Sequence, residues 1–517
     1  MRFFNTTGPC NPERHYMLPL AERLADIDIR RMIDQHNYFV IHAPRQTGKT
    51  TLITELAQNL TASGQYTAVT MTMEVGAGFP NDIGAAEKAI LHDWRGAIKY
   101  GLPPELHPPE WPDAPPGRGI GTALADWAEH SLRPLVIFLD EIDALQNEAL
   151  ISVLRQLRAG FGRRPQAFPA SLALVGLRDV RDYKVASGGS DRLNSPSPFN
   201  IAVRSITLDN FDAAEVSRLL QQHTTETGQL FTPDAQALIF DLTQGQPWLV
   251  NALAKVCVEE LVQDVTVPVA AAHVATAKEI LIQRRQTHLD QLTDKLRQPR
   301  VRRVIEPILA GGVINDVPAD DRDYVIDLGL VRRTNNGGLI IANPIYREVI
   351  PRTLAGGPQD SLPAIKPTWL TAEGKLNPQT LLQAFLAFWR QHGQPLLKSA
   401  PYHEIAPHLV LMAFLHRVVN GGGTLEREYA IGTGKMDLCL RYGAVTLAME
   451  LKVWRDNRPD PLPDGLNQLD EYLSGLGLET GWLVLFDQRS GLPDISERTT
   501  AQEVMTPRGR TITLIRA

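Results

Sequence analysis

The chain has 517 residues, of which 43% are apolar and 21% charged, with a net charge of −6. These values exclude a disordered chain and a polybasic nucleic-acid wrapper, so any nucleic-acid contact must come from a local patch. The length predicts about three domains.

Three cysteines, Cys10, Cys257 and Cys439, lie far apart and form neither a disulfide framework nor a CxxC metal pair. That usage predicts a reducing, cytoplasmic setting. The N-terminal MRFFNTTGPCNPERHY lacks the apolar run of a signal peptide, and no stretch approaches the roughly 18 apolar residues of a membrane span.

In chain order, Tyr38–Ile41, Tyr66–Met73, Leu135–Leu139, Leu172–Val175 and Ile201–Leu208 are apolar runs with little polar alternation. Helical stretches such as Thr50–Leu60 and Glu148–Leu157 lie between them. Doubly buried strands alternating with helices predict an α/β core with a parallel sheet, over 1–210. Pro103–Gly119 and Ser187–Pro198 predict irregular loops.

Three helical patterns, Ala213–Gln222, Pro233–Leu242 and Pro247–Leu261, predict a helical lid over 211–268. Further helices and two apolar runs around Asn335-Asn336-Gly337-Gly338 predict a winged-helix-like domain over 269–353. Residues 354–378 predict a Pro- and Gly-rich linker, and 379–517 a second α/β domain. In that domain two helices precede strand-like runs at Met436–Leu440, Val445–Lys452 and Gly481–Phe486.

The first candidate site is Ala43-Pro44-Arg45-Gln46-Thr47-Gly48-Lys49-Thr50-Thr51, between a strand and a helix. It matches the phosphate-binding P-loop pattern with Ala43 in place of the first glycine. Backbone N–H groups and a helix N-terminus suit a phosphate chain, Lys49 its β and γ phosphates, and Thr50 its Mg²⁺. Leu135–Leu139 ends in Asp140-Glu141. An acidic pair at such a strand end is placed for Asp140 to hold the Mg²⁺ sphere and Glu141 to polarise water.

APRQTGKTT, FLDEID and GQPWLVNAL (245–253) resemble the AAA-like ATPases related to STAND and archaeal-type NTPases, over roughly 1–350. The resemblance implies ATP as ligand, a possible homo-oligomer, and Pro247 near the adenine or sensor region. Arg178 could sense a γ-phosphate, and Arg158, Arg163 or Arg164 could act in trans; the sequence does not choose among them.

The second candidate site is Asp437, Glu450 and Lys452. Glu450 and Lys452 share one face of a strand, and Asp437 opens its neighbour, so two carboxylates and an ammonium converge. Such a group suits Mg²⁺-dependent hydrolysis of a phosphodiester. The spacing D-x12-E-x-K resembles the PD-(D/E)xK nuclease superfamily, over about 379–517. The resemblance implies Glu404 as a supporting metal ligand and Gln468 on a downstream helix; Met436 stands where the name-giving proline would be.

Lys295, Arg297, Arg300, Arg302 and Arg303, with Arg332 and Arg333 by the hairpin, are candidate DNA-phosphate contacts or solvated faces. The expected function is ATP-controlled, Mg²⁺-dependent cleavage of nucleic acid, DNA before RNA, with defence against foreign DNA as a candidate role. The alternative is an ATP-driven oligomerising switch or scaffold whose nuclease-fold domain is inactive.

Overall fold

The computed structural model describes residues 1–19, 23, 28–178, 201–284, 294–309, 317–334, 337–361, 367–399, 406–419, 423–431 and 434–517. The chain divides into two compact units. Unit 1 comprises Met1–Gln286 and Pro318–Asn343, and unit 2 comprises Thr287–Val317 and Pro344–Ala517.

Unit 1 holds a five-stranded sheet in the order β2-β3-β4-β1-β5. Its strands are β1 (Tyr38–His42), β2 (Thr67–Thr72), β3 (Leu135–Asp140), β4 (Ser171–Gly176) and β5 (Ala202–Thr207). Every pairing is parallel. The interior strands read as unbroken apolar runs because helices cover both faces.

Alternate residues of one strand feed opposite layers. Val40, Ile137, Leu139 and Leu172 pack with Ile90, Trp94, Leu124 and Leu154. Those residues come from helices α2 (Ile83–Gly101), α3 (Gly119–His130) and α4 (Asn147–Gly160). Ile41, Val136, Phe138 and Val175 pack instead with Ile53, Leu56 and Leu60 of α1 (Lys49–Ala62). Each fully buried side chain of this size contributes about 1.5–3 kcal/mol of transfer free energy. This α/β/α layering brings the C-terminal ends of β1 and β3 to the same edge of one parallel sheet, one strand (β4) apart.

The lid helices follow: α5 (Ala213–Thr227), α6 (Pro233–Thr243) and α7 (Pro247–Val256). The chain starts α5 with a capping box, in which Asp212 and Glu215 satisfy each other's backbone N–H groups. Pro233 and Pro247 occupy first-turn positions, where no N–H is needed.

The stretch read as one winged-helix domain is shared between the units. Helix Pro299–Leu309 belongs to unit 2; helix Ala319–Asp327 and the hairpin β6 (Val331–Arg333) and β7 (Leu339–Ile341) belong to unit 1. Helix Pro344–Ser361 runs into the stretch read as linker, because it packs on helix Ala406–Val419 and tertiary contact overrides weak propensity.

Unit 2 is built on a six-stranded mixed sheet in the order β12-β13-β11-β10-β9-β8. Strands β8 (Gly423–Ile431), β9 (Gly434–Tyr442) and β10 (Val445–Trp454) form an antiparallel meander. A helix, Leu462–Leu476, then crosses over to β11 (Gly481–Asp487), parallel to β10. Strand β13 (Thr511–Arg516) adds parallel to β11, and β12 (Thr500–Met505) closes the edge antiparallel. Helices α8 (Pro378–Ser399) and α9 (Ala406–Val419) pack against each other, with Phe388 stacked on Phe414 at 5.1 Å. The crossover helix is α10. No described helix is long and apolar enough to cross a membrane.

Candidate nucleotide and nuclease-like sites

Ala43–Gly48 turn from β1 into α1. Gln46 and Gly48 have φ of 60° and 93°. Nothing lies within 4 Å of a Cβ placed on Gly48, so glycine is needed there for its left-handed backbone rather than for space. Such alternation turns successive N–H groups toward one concavity, an anion-binding arrangement that the N-terminus of α1 extends.

Lys49 Nζ lies across this turn and donates to Ala43 O at 2.8 Å and Pro44 O at 2.9 Å. Thr47 Oγ1 donates to Pro44 O at 2.9 Å. Burial lowers the Lys49 pKa, opposed by the carboxylates of Asp143, Asp140 and Glu141. Arg45 is exposed at the tip of the turn.

Asp140 ends β3 and is buried. Its Oδ2 accepts from Thr50 Oγ1 at 2.6 Å and its Oδ1 from Glu141 N at 2.9 Å. Burial raises its pKa, and the Thr50 hydroxyl opposes this. Glu141 has a positive φ of 55° and is raised too, first by the protein around it, then by Asp140, Asp143 and Glu74. The sheet thus joins Lys49, Thr50, Asp140 and Glu141, which the sequence placed about 90 residues apart.

The other expected ligand residues are placed differently. Thr51 Oγ1 accepts from Cys10 N at 3.0 Å, tying the N-terminal segment to α1. Pro247 is buried in the first turn of α7. It is Gln246 that reaches the loop: its Nε2 donates to Gln46 O at 3.4 Å while its Oε1 caps Leu249 N at 2.6 Å. Arg23, also missed by sequence reasoning, donates to Thr47 O at 3.4 Å and to Asp209 O at 2.9 Å. Gln246 lies within the GQPWLVNAL segment, beside the Pro247 singled out there, whereas no motif marks Arg23.

Two of the candidate arginines are held by their own chain. Arg178 stacks over Tyr324 at 3.8 Å. Arg164 stacks over Phe161 at 3.4 Å and donates to Phe161 O and His36 O. Arg163 lies over Phe168, and Arg158 is exposed. Arg332 and Arg333 contact Gln244 and Asp323 within unit 1.

In unit 2, β9 and β10 bring Asp437 beside Glu450. Asp437 Oδ2 accepts from Leu451 N at 2.8 Å. Glu450 is 3% exposed; its Oε1 meets Lys452 Nζ at 2.5 Å and its Oε2 is buried without a hydrogen-bond partner among the described residues. Burial and the neighbouring Asp437 push the Glu450 carboxyl up to about 8, opposed by Lys452. A buried carboxylate oxygen with no donor fits a hard cation, which would supply the missing partner.

Gln468 is exposed on α10. Glu404, the third expected metal ligand, lies outside the described residues. Among the described residues no group of three or more His, Cys, Asp or Glu is gathered for a metal.

No protein-family model and no curated protein matches the chain. Solved structures similar to part of it include a Walker-type ATPase of Pyrococcus abyssi, at 12% identity and TM-score 0.46, covering 66% of this chain and 98% of that one. The Aeropyrum pernix ORC1 protein in complex with DNA is similar at 15% identity and TM-score 0.35, covering 63% and 90%. The Thermotoga maritima RuvB Holliday junction branch migration motor is similar at 16% identity and TM-score 0.33, covering 62% and 90%. Similarities this low assign no family to the chain.

Proposed function

We propose that unit 1 binds and hydrolyses ATP and that its nucleotide state controls Mg²⁺-dependent cleavage of nucleic acid by unit 2. The contact that carries this reading is Thr50 Oγ1 to Asp140 Oδ2, with Lys49 inside the loop beside it. An ammonium, a hydroxyl and a carboxylate gathered in this way support the reading, because a nucleoside triphosphate and its cation need all three.

In unit 1 the loop amides and Lys49 bind the phosphates, Thr50 and Asp140 hold Mg²⁺, and Glu141 orients the attacking water and accepts its proton. The raised pKa of Glu141 brings it closer to a working base at neutral pH. In unit 2 Asp437 and Glu450 hold Mg²⁺, with Glu404 as a further candidate ligand, and Lys452 orients water or stabilises charge on the scissile phosphate. Bound Mg²⁺ supplies Lewis-acid activation of water and neutralises phosphate charge.

The test is cleavage of supercoiled, linear and single-stranded DNA and of RNA, with Mg²⁺ and with or without ATP. The expected result is cleavage abolished in Lys452→Ala and altered in Lys49→Ala. ATP hydrolysis without any cleavage would instead favour the switch with an inactive nuclease-like domain.

A further inference from the structure

Two side chains outside the P-loop hold the carbonyl groups of its apex. Gln246 Nε2 meets Gln46 O and Arg23 Nη2 meets Thr47 O, both at 3.4 Å. In a trans peptide the C=O and the following N–H point in opposite directions. Fixing Gln46 O toward Gln246 therefore fixes the Thr47 N–H the other way. Fixing Thr47 O toward Arg23 does the same for the Gly48 N–H. These two amides belong to the turn in which Gln46 and Gly48 carry positive φ, where N–H groups converge on an anion.

Both side chains are anchored at the junction of the sheet and the lid. Arg23 is largely buried; its Nη2 also donates to Asp209 O at 2.9 Å, its Nη1 lies 3.8 Å from Glu215 Oε2, and its guanidinium covers the Phe211 ring at 4.6 Å. Gln246 is the N-cap of α7. Phe211 N donates to Gly245 O at 2.9 Å, and a Cβ on Gly245 would stand 1.7 Å from Phe211 O. The junction 209–212 and the turn before α7 are thus locked together with no room for a side chain between them.

We infer that Arg23 and Gln246 are positioning residues that aim the Thr47 and Gly48 amides at the phosphates and make that aim depend on the lid. This rests on the ATP-binding reading of the same site. A lid displacement withdraws both donors and frees the two peptides to turn. Conversely, phosphate on the amides favours the lid position in which the donors are engaged, as linkage requires.

The test uses the full chain, with ADP and Mg²⁺ as probe, by calorimetry and by hydrogen exchange. Gln246→Ser keeps a helix cap and loses the reach to Gln46. Arg23→Lys keeps the charge and loses the fork that spans Thr47 and Asp209. Each is expected to weaken ADP about five- to tenfold, the scale of one lost hydrogen bond. Each should also speed exchange of the amides of 46–48 in the ADP-free protein. In wild type, ADP is expected to slow exchange at 245–249 as well as at 43–50.

Wild-type ADP affinity in both variants, with unaltered loop exchange, overturns the inference. So does protection of the loop without protection of 245–249, a result that needs no variant to fold. Failure of wild type itself to bind ADP would overturn the ATP-binding reading instead.

Discussion

Glu450 carries the most testable electrostatic consequence. Its folded pKa of about 8 lies above the 4.5 of a free carboxyl, so the fold favours the protonated form. The sign follows from linkage: the stability is fully present below about pH 4.5 and is lost as pH rises through 8. Without divalent cation, the thermal midpoint of unit 2 should fall between pH 5 and 8, and Glu450→Gln should flatten that fall. Thermal unfolding followed across that range, for wild type and variant, checks it. Added Mg²⁺ should restore the wild-type midpoint most at the alkaline end, where the carboxylate is ionised, and should do little for Glu450→Gln. At this scale, what the sequence made legible was contiguous. Lys49 and Thr50 sit in one motif, and Glu450 and Lys452 are two residues apart on one strand face. Arg23 belongs to no motif, and Gln246 was passed over for its neighbour Pro247 because its contact joins residues 200 apart in sequence.

The close approach of α10 to β10 sets the next scale. Gly465 is buried in the first turns of α10, and a Cβ there would stand 2.7 Å from Leu483 Cδ1 and 3.3 Å from Lys452 Cγ. Gly465→Ala must therefore displace the Leu483 side chain and crowd the Lys452 stem, or push α10 off the sheet. The expected cost is about 1–3 kcal/mol of unit 2 stability, read by denaturant unfolding. Cleavage should fall while ATP hydrolysis is retained, which a paired assay separates. Element by element, the parallel strands of unit 1 were legible because burial on both faces leaves a continuous apolar run. Strands β8 and β12 were not. Thr500–Met505 is an exposed edge with two partly covered positions, and Gly423–Ile431 carries four charged or aromatic polar residues, Glu426 to Tyr429, in the middle of its run. The Gly-Gly-Pro of 356–358 looked like a break, yet a helix spans it. Composition reports local preference, and the packing of that helix on α9 was not in it.

For the molecule as a whole, two units with the proposed nucleotide site in unit 1 predict unequal responses to ligand. Saturating ADP with Mg²⁺ should raise the stability of unit 1 alone, by about 2.7 kcal/mol at a hundredfold excess over Kd. Calorimetric scanning should show one transition moving and one standing still, and Lys49→Ala should abolish the movement. The chain also passes between the units three times, after Gln286, Val317 and Asn343. No single cut in the gene therefore releases either unit whole. A fragment beginning at Pro344 lacks Thr287–Val317, and one ending at Gln286 lacks the 318–343 hairpin. The smallest autonomous form of either unit is a splice of two pieces, so a nonsense or frameshift lesion before codon 343 truncates unit 1 and unit 2 together, whereas one after it spares every residue of unit 1.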